Sequence, residues 1–120
     1  MFFHYRQNNS GGSFQGPAIN VIIEAPMYVI ANDIAETNNL YFSGCDTGQD
    51  CSCCGDRWSA AWGNDGDTEP MVYGKPVAEY LDAKADFTLG TNRDYYKTSM
   101  YDGILPVLVI YQDGTRKEYN

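Results

Sequence analysis

The chain has 120 residues, 16 acidic against 8 basic, and a formal net charge of −8; the length suits one domain over residues 1–120, and the charge repels phosphate backbones. Direct nucleic-acid binding is therefore disfavoured. Its apolar runs fall well short of the ~20 residues that span a bilayer, so it reads as a soluble protein with no membrane role.

Residues 2–7 alternate aromatic and polar side chains at period two, the pattern of an edge or hairpin strand. Asn8-Asn9-Ser10-Gly11-Gly12-Ser13 then breaks it with a turn whose backbone N–H groups can face an anion. Residues 18–25 carry Ile19, Val21, Ile22 and Ile23 and form the clearest buried strand. Pro26 ends that strand and suits the first position of a helix. Met27, Ile30, Ala31, Ile34 and Ala35 recur at helical spacing, which predicts a helix over 26–38 with that stripe against the sheet.

Residues 64–70 hold three carboxylates but lack the sixth-position glycine and twelfth-position glutamate of a calcium loop, and read as a connector. Val77, Tyr80 and Leu81 predict a short helix over 77–85, whereas 86–98 is polar and rich in tyrosine, without a clear period. Residues 104–111, the Asp113-Gly114 turn and residues 115–119 form a hairpin signal. The expected class is α+β: a small antiparallel sheet, one main helix packed on it, and a Cys-rich loop held by zinc. Ile22, Ile23, Ile30, Ile34, Val107 and Val109 are expected in one core.

All four cysteines, Cys45, Cys51, Cys53 and Cys54, lie within ten residues. Cys51-Ser52-Cys53-Cys54-Gly55 contains a Cys-x-x-Cys-Gly turn, in which two thiolates converge on a tetrahedral ion. Zinc is the cofactor this implies, with Cys45 as a third ligand and Cys53 or His4, the only histidine, as the fourth. Adjacent residues in extended chain point to opposite sides, which makes His4 a candidate beside Cys53. The alternatives are disulfides, weakly stabilising in such small loops, and reduced thiols. No His-x-Glu precedes the cysteines, so catalytic zinc is not expected, and Asp50 and Asp56 read as solvated carboxylates.

The blocks 2–14, FFHYRQNNSGGSF, and 41–58, with YFSGCD and DCSCCGDRW, resemble a family of small tailed-bacteriophage proteins over roughly the first half of the chain. The resemblance implies a setting, the cytoplasm of an infected bacterium or else the virion, rather than an activity. In that setting the expectation is an accessory protein with a non-enzymatic binding role in counter-defence or host takeover. It would inhibit a host protein or sequester a nucleotide-like signal. Arg6, Asn8, Gly11 and Gly12 would face the ligand, with Arg57 supplying charge and Trp58 stacking. The structural reading of the last two is that Arg57 pairs with Asp50 or Asp56 and Trp58 caps the core. The alternative function is a structural or virion-associated protein whose fold zinc stabilises.

Overall fold

Two of the longest apolar runs, 18–23 and 104–110, sit side by side at the centre of one sheet. The computed structural model describes residues 1–8, 14–98 and 103–120. Strand β1 (Phe2–Arg6) pairs antiparallel with β2 (Ala18–Glu24), placing Phe3 opposite Ile23 and Tyr5 opposite Val21. From β2 the chain runs through α1 (Tyr28–Thr37), α2 (Gly44–Thr47), the β3–β4 ribbon (Met71–Val72 and Lys75–Pro76), α3 (Val77–Asp82) and α4 (Asn92–Tyr95). It returns as β5 (Leu105–Ile110), which lies parallel to β2 with Ile22 opposite Val109, and closes with β6 (Arg116–Tyr119) antiparallel to β5. The sheet order is β1-β2-β5-β6.

The α+β class stands, but the sheet is mixed, because its central pair is parallel. The physical reason lies in those apolar runs. A strand with one wet face alternates, whereas a strand covered on both faces is apolar throughout. In β2 every residue from Ala18 to Ile23 is buried.

Covering both faces splits the expected single core in two. On one face Phe3, Tyr5, Val21, Ile23, Leu108 and Ile110 meet Ala31 and Ala35 of α1, together with Leu40 and Trp58. On the other, Ile22, Val107 and Val109 meet Val72, Val77 and Leu81. The helix stripe also differs from expectation. Alanines 31 and 35 are its fully buried residues, Ile34 is partly buried, and Ile30 is 40% exposed. Small side chains let the helix axis approach the sheet closely, which turns the neighbouring isoleucine outward.

The N-terminal half of the chain is also joined to the long connection by short ladders. Phe2 bridges Asp67, within the polar connector, through paired backbone bonds of 2.8 Å in each direction. Gln7 bridges Trp58, and the Asn8 amide donates to the Arg57 carbonyl at 2.8 Å. Hence β1, an edge strand by sheet order, has both ends closed by other segments.

Candidate functional site

The cysteine loop is fastened to β1 by a buried polar network rather than by His4. Asp50, expected to be solvated, has a side chain that is 0% exposed, and Arg57 is 4% exposed. One Asp50 carboxylate oxygen accepts the Arg57 backbone N–H at 2.7 Å; the other accepts the Tyr41 hydroxyl at 2.6 Å and lies 3.7 Å from the Arg57 Nε. The guanidinium donates to the Tyr41 hydroxyl at 2.9 Å and to Gln7 Oε1 at 3.1 Å. Gln7 in turn donates from Nε2 to the carbonyls of Gln15 and Ala18. Burial, followed by the Asp50 carboxylate, pushes the Tyr41 hydroxyl up from its ordinary range. Gly44 completes the fit, since a Cβ there would run into the Asp50 carboxylate.

This arrangement places the proposed ligand residues. Arg57 and Trp58 occupy the structural positions: Arg57 pairs with Asp50, and Trp58 is 1% exposed within the α1-side core. Among the described residues the Trp58 Nε1 has no hydrogen-bond partner. Asn8 reaches the loop directly, its side-chain amide donating to the Cys54 carbonyl at 2.6 Å. Gly11 and Gly12 lie outside the described residues.

Within the loop the chain turns. The Cys54 amide donates to the Cys51 carbonyl at 3.1 Å, and Gly55 follows at a φ of +84°, a left-handed value that glycine adopts without cost. The turn defeats the extended-chain argument against adjacent ligands. The sulfurs of Cys53 and Cys54 lie 3.6 Å apart, and those of Cys51, Cys53 and Cys54 all lie within 4.8 Å of one another on the exposed surface. Three nearby cysteines can hold a metal ion, but Cys51 and Cys53 are at disulfide distance. Cys45 stands beside this group, its thiol directed to the Cys51 carbonyl at 3.6 Å and its amide to Asp56 at 2.9 Å.

His4 is not brought to the cysteines. Its Nε2 lies 2.8 Å from Asn20 Oδ1, and its ring packs edge-on against Tyr73 at 5.3 Å. Desolvation holds its pKa below the usual value, and the Asn20 contact opposes that in part.

Two concavities meet at Tyr73. A polar groove of about 830 Å³ gathers His4, Arg6, Asn8 and Arg57 with the exposed Trp62. Asp56 and Asp65 line it too, so its cationic side chains face carboxylates. The second, a cleft of about 490 Å³, lies between β4, α3 and α4. Aromatic rings line it in succession: Tyr73 against Tyr80 at 5.8 Å, Tyr80 sharing a hydroxyl contact of 3.0 Å with Tyr96, Tyr96 against Tyr95 at 6.0 Å, and Tyr95 against Phe87 at 5.7 Å. Asn20, on the sheet, supports the row by donating to the Tyr96 hydroxyl at 3.2 Å. Phe87 is 80% exposed and Leu89 is 98% exposed.

Tyr73 sits at a φ of +50°, followed by Gly74 at +79°, a two-residue turn with left-handed backbone at both positions. For a bulky residue that conformation is uncommon. The turn presents the tyrosine ring at the junction of groove and cleft. Sequence reading missed this row because residues 86–98 have no periodicity. The available signals were Tyr73-Gly74 after an apolar pair, and isolated Phe87 and Leu89 in a polar stretch.

Among the described residues no helix is long and apolar enough to cross a membrane. Neither a curated protein nor a solved structure matches the chain. Residues 1–119 match the family described as Domain of unknown function (DUF7296), and the chain belongs to that family.

Proposed function

We propose that the chain is a bacteriophage accessory protein that acts in the infected bacterium by binding a host protein, without catalysing a reaction. The observation that carries this reading is the aromatic row from Tyr73 to Phe87, which ends in the exposed Phe87, with exposed Leu89 two residues further along the chain. Interfaces concentrate their binding energy in aromatic anchors, and tyrosine offers large contact area at low entropic cost. An exposed aromatic ring at the end of a tyrosine-lined cleft is what a protein partner would cover. The nucleotide-sequestering form of the reading is less well supported, since the groove that holds Arg6 also holds Asp56 and Asp65.

A second reading, a virion-associated protein whose fold is held by zinc, is favoured by the three clustered sulfurs. Copurification from the infected host separates the two. A host protein retained by the wild-type chain and lost from Phe87→Ser/Leu89→Ser, with the melting midpoint unchanged, supports host binding. Recovery of the chain in purified particles favours the virion reading, and nucleotide absorbance released on denaturation favours sequestration.

A further inference from the structure

Resting on the metal-binding reading of the cysteines, we infer that Cys51, Cys53 and Cys54 form a redox-gated site for one thiophilic divalent cation of the zinc type. Three thiolates hold the ion, a fourth position stays open to solvent, and closure of a Cys51–Cys53 disulfide expels it.

The geometry points to three ligands. Two sulfurs bound to one tetrahedral ion at ~2.3 Å stand about 3.8 Å apart. Cys53 and Cys54 are 3.6 Å apart, and all three sulfurs lie within 4.8 Å of one another. Because all three side chains are exposed, rotation of Cys51 and Cys53 can open their sulfurs to the ligand spacing without disturbing a core. No other histidine, cysteine or carboxylate among the described residues joins the group. The nearby candidates have other partners: His4 is bound to Asn20, Asp50 to Tyr41 and Arg57, Asp56 to the Cys45 amide, and Cys45 is turned to the Cys51 carbonyl.

The same sulfurs make the site oxidisable. Cys51 thiolate attacks a small-molecule disulfide, breaking its S–S bond and releasing one thiolate. Cys53 thiolate then attacks the mixed disulfide at the Cys51 sulfur and releases the second. Two electrons pass from the cysteine sulfurs to the reagent, which leaves as two thiols. The cation, stripped of two of its ligands, goes to solvent, and Cys54 takes up a proton from water. With only one residue between the bridged cysteines, the bridge adds little stability, and because the cysteines are exposed it forms and breaks without disturbing a core.

The test uses full-length protein reduced with a phosphine and titrated with zinc against a chromogenic chelator, then treated with glutathione disulfide. The expected result is one zinc per reduced chain, released as two thiols are consumed, with Cys51 joined to Cys53 in peptide maps and Cys54 still alkylatable. Cys53→Ser should fail to compete with the chelator, whereas Cys45→Ser and His4→Gln should compete as the wild type does. Zinc bound by the reduced chain but retained after oxidation, or lost in Cys45→Ser and kept in Cys53→Ser, overturns this inference alone. No zinc on the reduced chain overturns the metal-binding reading with it.

Discussion

Arg57 and Asp50 stand 3.7 Å apart with both side chains out of water, one on each side of the exposed turn Cys51-Ser52-Cys53-Cys54. The pair joins two sequence blocks about fifty residues apart, because the same guanidinium reaches Gln7 at the end of β1. Removing one member of a buried pair leaves the other charged and uncompensated, at a cost of about 3–5 kcal/mol. Asp50→Ala should therefore lower the stability measured by urea denaturation by that amount. A loss below about 1 kcal/mol, as for exposed pairs, would mean that water reaches the network.

Ile30 and Leu81 make a matched pair of truncations. Leu81 is fully buried between α3 and the sheet, whereas Ile30 is 40% exposed. Leu81→Ala should cost about 2–5 kcal/mol, and Ile30→Ala no more than about 0.5 kcal/mol. Equal losses in thermal or chemical unfolding would place Ile30 in the core and return the helix stripe to its expected orientation.

His4 sets a pH dependence. Its folded pKa lies below the value of 6.5 that applies to the unfolded chain, chiefly through desolvation. Above that value both states are neutral at this position and the stability it permits is fully present. As pH falls below 6.5 the unfolded chain binds a proton that the folded chain resists, so stability is lost until the folded pKa is passed. Since the chain has one histidine, His4→Gln should flatten the unfolding free energy between pH 6.5 and the lowered folded value. An unchanged slope in the variant would assign the dependence to carboxylates.

Much of the frame was legible in the sequence, for identifiable reasons. Strand β2 and the β5–β6 hairpin were marked by apolar runs and by Asp113-Gly114, and α1 by Pro26 and its period. The parallel pairing of β2 with β5 was missed although the signal was present, since neither run alternates. The second core follows from that omission: Ile22 and Val109 needed a cover, and Val77 and Leu81 supplied it.

The candidate site was less legible because its residues are distant in sequence and mixed in type. Nothing local marks Asp50 as buried; its environment comes from Tyr41, Gly44 and Arg57 together. The aromatic row likewise draws on a turn, α3 and α4, three segments with no shared period. Local pattern did give the cysteine turn, because Cys-x-x-Cys-Gly carries its own backbone geometry.

Site-resolved photo-crosslinking in the bacterial host tests the binding role most directly. A benzophenone analogue of phenylalanine replaces Phe87 in one variant and Val29, an exposed residue on α1 across the sheet, in another. The account predicts a discrete crosslink to a host protein from position 87 and none from position 29, at equal expression and melting midpoint. Equal crosslinking from both positions, or none from position 87, would contradict it.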